Sequence, residues 1–439
     1  MSAIKARERD AIMNSLRAGV VPRTGQHLIQ VGRSRELETL VKDIEHIAQG
    51  SSTFRLIIGE YGAGKTFFLN LVRAVSLEKR MVVINADLTP DRRLQATGGQ
   101  ARSLYAELIR NIATRTKPEG GALPGIVEKF VSSVLMESKS SGQDPETAIY
   151  KKLEQLSEMV GGYDFASVIA AYWKGYEGGN EQLKGDAVRW LRGEFSTKTE
   201  AREALKVRTI VDDSSFYDQL KLMAKFVRLA GYSGLIVCLD ELVNIFKLSN
   251  TQARNSNYEQ ILRILNDSLQ GISEGMGFLL AGTPEFLLDT RRGLYSYSAF
   301  QSRLAENAFA KNGLVDLTGP VLRLTNLSPE ELFVLLQKLR YVYAFGDETK
   351  YLLPDEALSA FMEHCLKRIG EAYFRTPRTT VKAFINLLAV LEQNPNAEWK
   401  GLLGKIEVIK DQEMLLTNPG EPDEKELHKG DDELTTFKL

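Results

Sequence analysis

Phe54-Arg55-Leu56-Ile57-Ile58-Gly59-Glu60-Tyr61-Gly62-Ala63-Gly64-Lys65-Thr66-Phe67 reads as a buried strand, a glycine-rich turn and the start of a helix that the apolar spacing carries to Leu77. Residues 59–66 fit G-x-x-x-x-G-K-[ST] without a mismatch, in the strand-to-helix setting that a phosphate-binding loop requires. Glycines at 59, 62 and 64 let successive N–H groups face one concavity, with the positive end of the helix dipole behind them. In such a loop the Lys65 ammonium neutralises β and γ phosphates and the Thr66 hydroxyl enters the magnesium shell. Glu60, Tyr61, Ala63 and Phe67 complete the set expected around the nucleotide.

A second chemical centre is Gly234-Leu235-Ile236-Val237-Cys238-Leu239-Asp240-Glu241, an apolar strand ending in two adjacent carboxylates. Behind a phosphate loop, the first acid of such a pair holds the metal through water and the second orients water for in-line attack. These roles fall to Asp240 and Glu241. Acids also end strands merely to cap the next helix, so the pair gains its meaning from the loop upstream. Gly277 to Pro284 is a further strand, and the hydroxyl at its end makes Thr283 a candidate for touching the γ phosphate or the attacking water. Arg303, on a helix before the strand 321–324, is the candidate arginine finger, preferred to Arg291 and Arg292. Ser328-Pro329-Glu330-Glu331 opens a run of helices at about 328–344, 355–369 and 377–392. A cation in the first turn of a helix opposes the dipole. Arg378 therefore calls for an anionic partner such as a bound γ phosphate, with Arg375 as its substitute.

The 439 residues are 43% hydrophobic and 26% charged, with 56 basic and 57 acidic side chains, so no global charge demands a nucleic acid or a lipid surface. Two cysteines, Cys238 and Cys365, suggest neither a disulfide framework nor a zinc site. No run is apolar enough to span a bilayer and no signal-peptide core opens the chain, which leads us to expect a cytoplasmic protein. Lys65 and Asp240 stand 175 residues apart, more than one or two βαβ units need, so a helical insertion is expected between them. The expected organisation is a helical arm (1–31), a nucleotide-binding core (32–117 with 214–327), the insertion (118–213), a helical lid (328–395), and a C-terminal helix with an acidic tail (396–439). That tail carries acids around 421–433. Trp173, Trp190, Tyr172 and Tyr176 read as helix core rather than as stacking platforms. Arg92, Arg93, Arg102 and Arg110 form a local basic cluster, either solvated or contacting nucleic acid or a partner.

Gly32-Arg33-Ser34-Arg35-Glu36, shortly upstream of the loop, resembles the adenine-side box of AAA+ ATPases. With the phosphate loop, the acid pair, Ser302-Arg303-Leu304 and the helical lid, the chain resembles the origin-recognition and Cdc6-like branch of that class. More narrowly, the segments at 18–22, 31–33, 59–69, 87–105, 190–194 and 238–242 resemble the ATP-binding proteins of BREX (bacteriophage exclusion) systems, often called BrxD. The resemblance covers roughly residues 18–390. It implies an α/β fold, an AAA+ P-loop parallel-sheet core with a large helical insertion and a C-terminal helical lid. It also implies ATP and Mg2+ as cofactors, Gly32 and Arg33 on the base side, a homo-oligomer, and helicase- or methyltransferase-class partners in an antiphage system, with DNA a candidate substrate. Too little chain follows the lid for a winged helix, a departure from the initiator branch that counts against DNA binding of that kind. The expected activity is ATP hydrolysis that assembles or remodels a defence complex. The rivals are a nucleotide-dependent switch and a DNA-bound clamp, both with little intrinsic hydrolysis.

Overall fold

A computed structural model describes residues 4–310, 315–369 and 377–404. Arg375 and the acidic segment around 421–433 lie outside the described residues. Five strands, β1 (Thr53–Ile58), β2 (Val82–Asp87), β3 (Leu235–Asp240), β4 (Met276–Gly282) and β5 (Val321–Arg323), form one parallel sheet in the order β2-β3-β4-β1-β5. The strand bearing the phosphate loop is thus flanked by β4 and β5. The strand bearing the acid pair lies on the far side of β4.

Side chains alternate across this sheet with the period of two that a pleated strand imposes. Leu56, Ile58, Val82, Ile84, Leu235, Val237, Phe278 and Leu280 belong to one apolar cluster. Ile57, Val83, Ile236, Cys238, Leu279 and Ala281 belong to another, on the opposite face. Helices α3 (Ser34–Ala48) and α4 (Lys65–Glu78) cover the second face through Leu40, Ile44, Phe68 and Val72. Near-continuous apolar strands are what a sheet buried on both faces requires.

The first face is covered by many more helices. They are α5 (Gln100–Arg110), α6 (Leu123–Ser141), α7 (Pro145–Ser157), α8 (Gly162–Glu177), α9 (Glu181–Leu191), α10 (Lys198–Leu205), α11 (Phe216–Leu229) and α13 (Thr251–Leu269), with the short α12 (Val243–Phe246) leading into the last. Residues 118–213 therefore share the core of the sheet. Phe165 stacks edge-on against Trp190 and Phe226, and Trp190 donates its indole N–H to the Thr209 carbonyl at 2.8 Å. Tyr172 and Trp173 are buried as well, whereas Tyr176 is 59% exposed. Helix α5 starts at Gln100. Asp213 supplies the reason: its carboxylate accepts from the Gly99 and Arg102 amides, which would otherwise be orphaned at a helix start. Helices α11 and α13 go beyond the sequence expectations.

After the short α14 (Pro284–Leu288) and α15 (Ser298–Arg303), the chain crosses β5 and enters α16 (Pro329–Tyr343), α17 (Asp355–Ile369), α18 (Pro377–Gln393) and α19 (Trp399–Leu403). Ser328 and Glu331 form a complete capping box at the start of α16. Helices α1 (Ala6–Arg17) and α2 (Gln26–Ile29) pack into this body: Ile4, Ile12, Met13 and Ile29 are buried in one cluster with Leu336, Leu339, Phe361, Phe384 and Leu388. Among the described residues no helix is long and apolar enough to cross a membrane. The architecture has the parts that the resemblance implies: a parallel sheet bearing the phosphate loop, a large helical elaboration and a helical C-terminal body.

Candidate nucleotide site

Strand β1 ends at Ile58, and the loop that follows is fixed by its neighbours before any ligand is considered. The Gly59 amide donates to the Gly282 carbonyl at the end of β4, at 3.2 Å. Gly62 and Gly64 take φ of 79° and 87°, the left-handed region that glycine reaches without penalty. Helix α4 then begins at Lys65 itself, two residues earlier than the apolar spacing suggests, and Lys65 and Thr66 occupy its first turn. The Lys65 ammonium is folded back onto the Gly59 and Glu60 carbonyls, both at 2.9 Å. Desolvation lowers its pKa from the ordinary lysine value, and Asp240, Glu241 and Glu60 oppose that shift.

The acid pair meets this loop across the sheet. Thr66 Oγ1 donates to Asp240 Oδ2 at 2.6 Å. Residue 240 follows Ile236 and Cys238 in strand parity, so its side chain lies on the face that α4 covers. Glu241 turns sharply away with φ of 59°, its amide donating to Asp240 Oδ1 at 2.8 Å. Desolvation, and then the charge of Asp240, raise the Glu241 carboxyl above its usual range, against the pull of Lys65. A third carboxylate was not singled out from the sequence: Asp87 ends β2 in register with Asp240 and lines the same cavity. Desolvation and Asp240 push it upward too. The one signal for it was its place at the carboxyl end of a parallel strand, where ligand-facing groups collect.

A cavity of about 450 Å³ opens over the loop. Its polar lining includes Tyr61, Lys65, Thr66, Asp240 and Glu241, and its apolar lining includes Val20, Val21, Ile29 and Val31, Phe67 and Leu71 from α4, Leu335 from α16 and Val381 from α18. A ligand with a flat apolar ring and a polyanionic group would suit such a mixed lining. Arg33 closes one flank with φ of 65°. Its guanidinium donates to the Ala63 carbonyl at 3.3 Å and to the Thr325 carbonyl, and Glu36 lies 3.9 Å away. Gly32 fits against the α16 capping box: a Cβ there would stand 2.4 Å from Glu331 Oε1. Arg378, in the first turn of α18, also lines the cavity, with its guanidinium donating to the Tyr61 hydroxyl.

Thr283 follows Gly282, the last residue of β4, so it stands beside the start of the phosphate loop, just before α14. It does not line the cavity, but its Oγ1 is buried and has no hydrogen-bond partner. Arg303 is not brought to the cavity. It ends α15, exposed, donating to the Ala299 carbonyl at 3.1 Å. Arg292 serves the fold instead, bonding the Phe246 and Leu248 carbonyls. In the basic cluster, Arg92 and Arg110 lie against Glu107 at 3.9 and 3.1 Å, while Arg93 and Arg102 donate to the Pro90 and Phe195 carbonyls.

Magnesium fits the donor set. Thr66 and Asp240 offer two converging hard oxygens. Among the described residues no three acidic, histidine or cysteine side chains form a metal cage by themselves. Magnesium is commonly held by one or two side chains together with substrate phosphates and water.

The family model described as "BREX system ATP-binding protein BrxC/D" matches residues 4–407. No curated protein matches the chain. Among solved structures, domain III of the Thermotoga maritima replication initiation protein DnaA is similar at 12% identity and a TM-score of 0.36, over 93% of this chain and 100% of that one.

Proposed function

The chain belongs to the family of BREX system ATP-binding proteins BrxC/D, and from that premise we propose that it hydrolyses ATP with magnesium to assemble or remodel an antiphage complex. The observation that carries the reading is the 2.6 Å bond between Thr66 Oγ1 and Asp240 Oδ2, which joins the helix after the phosphate loop to the acid-bearing strand. When bound, the ion would neutralise charge developing on the phosphates. Lys65 would exchange its two carbonyl partners for phosphate oxygens. Glu241 would hold and orient the attacking water. The apolar side chains that line the cavity would take the base.

Lys65→Ala tests the site, with ATP affinity as the readout. Affinity unchanged by the substitution would refute the assignment.

A second reading, a nucleotide switch with little intrinsic hydrolysis, is favoured by the exposure of Arg303, which leaves Arg33 and Arg378 as the arginines lining the cavity among the described residues. Glu241→Gln separates the two. In an active ATPase it should trap ATP, whereas in a switch it should change little. The clamp reading has less behind it, because each arginine of the 92–110 cluster already has a partner within the chain. Homo-oligomer formation, DNA, and helicase- or methyltransferase-class partners belong to this proposal as the setting in which such an ATPase would act.

A further inference from the structure

Glu241 has its backbone in a conformation that its own side chain disfavours. With φ of 59° it lies in the left-handed region, which a residue bearing a Cβ enters at a cost. Strained backbone of this kind persists where the surroundings over-determine it. A ring of hydrogen bonds does so here. The Glu241 amide donates to Asp240 Oδ1 at 2.8 Å. The Asp240 carbonyl accepts from the Leu88 amide at 3.0 Å, just past the end of β2. The Leu88 carbonyl in turn accepts from Asn244 Nδ2 at 2.7 Å, and the Asn244 amide returns to the Glu241 carbonyl at 3.0 Å. On the other flank the Leu242 amide donates to the Ala281 carbonyl of β4 at 3.2 Å. Asn244 thus closes the ring with a side chain from outside the acid pair.

We propose that Asn244 is a positioning residue for hydrolysis: by bonding the Leu88 and Glu241 carbonyls at once, it fixes the strained turn so that the Glu241 carboxylate meets the attacking water. The inference rests on the hydrolysis reading above and deepens it. Glu241 lines the nucleotide cavity and Asn244 does not, so Asn244 acts through the turn and not on the nucleotide. It is the second residue of α12, and its side chain spans from that helix to the loop after β2, the strand whose Asp87 is in register with Asp240. Without that bond the turn keeps its tie to β4 but loses its brace to the β2 loop, and the left-handed backbone can relax. A reacting group displaced by about 1 Å can lose on the order of a hundredfold in rate, so a small relaxation is enough.

The test is a double-mutant cycle on the full-length chain with magnesium present, reading turnover and, by calorimetry, ATP affinity. Asn244→Leu keeps the bulk of the side chain and removes its donor. It should lower kcat about ten- to a hundredfold while ATP affinity changes by less than about twofold. In a Glu241→Gln background, read under single-turnover conditions, the same substitution should change the residual rate by less than about twofold, because the group it acts through is already gone. Asn244→Ala should follow the same pattern, and intact ATP affinity shows that each variant is folded. Equal losses of kcat in both backgrounds, a loss of ATP affinity as large as the loss of turnover, or an unchanged kcat would each overturn the role. A lowered melting temperature with the turnover of the folded chain intact would make Asn244 a structural residue and overturn it too. If the native chain binds ATP and turns none over, the hydrolysis reading falls and the role of Asn244 with it; an additive cycle in a chain that hydrolyses ATP removes the role of Asn244 alone.

Discussion

Arg55 is the sole charged side chain of β1, and its carboxylate partner comes from the helix on the covered face. Its Nε and Nη2 meet the two Asp43 oxygens at 2.6 and 2.8 Å, and Nη1 bonds the Leu317 and Thr318 carbonyls. With side chains only 7% and 11% exposed, neither charge has water to fall back on. Asp43→Ala should cost about 3–5 kcal/mol by stranding a buried guanidinium, and chemical denaturation would measure it. Removing both charges together, as Asp43→Leu with Arg55→Met, should recover most of that loss; a double variant as unstable as the single one would contradict the argument. The chemistry at Glu241 answers to a different measurement. Glu241→Gln keeps the shape and the turn but removes the base, so turnover should drop by about 10²- to 10⁴-fold with ATP affinity intact. Lost affinity would instead make Glu241 a binding residue. At this scale the sequence was most legible where a motif fixes spacing, as at Lys65, Thr66 and Asp240. At Asp87 it offered only a polar end to a strand, because what matters there is a register match with Asp240 across two strands 153 residues apart.

Elements could be read where periodicity was long and regular, as in α16 and in β1, β3, β4 and β5. The pairing of the arm with the lid could not. An amphipathic α1 announces a buried face without saying what covers it. The structure supplies the cover: Ile12 and Met13 are buried among lid side chains, Arg17 Nε donates to Asn386 Oδ1 at 3.0 Å, and Arg9 Nη2 reaches Glu392 at 3.0 Å. Because the N-terminal segment also supplies Val20, Val21 and Ile29 to the cavity lining, loosening it should disturb nucleotide binding. Ile12→Ala should cost about 2–5 kcal/mol by leaving a cavity in that shared core. We expect faster hydrogen exchange in α16 and α18, unchanged exchange in β1–β4, and weaker ATP binding. Exchange that quickens in the sheet and not in the lid would mean that the arm supports a different body.

At the scale of the whole molecule, the proposed hydrolysis would need an arginine to stabilise its transition state. Arg303 is exposed at the end of α15 and absent from the cavity of its own chain. It either acts on a neighbouring copy or does not act at all. The two cases differ in reaction order. If one copy completes another's site, turnover per chain rises with protein concentration through the range where copies associate, then levels off. Arg303→Ala should then lower the plateau by about 10³-fold or more while leaving ATP affinity and the association midpoint in place. Mixing should also restore part of the activity: an Arg303→Ala chain retains an intact phosphate loop, a Lys65→Ala chain retains its arginine, and a mixed assembly contains some sites with both. Turnover strictly proportional to concentration, insensitive to Arg303 and not restored by mixing would mean that each chain works alone or waits for the arginine of another protein. The exposed position of Arg303 fits that last arrangement as well as self-assembly, so the mixing experiment, and not the position, decides between them.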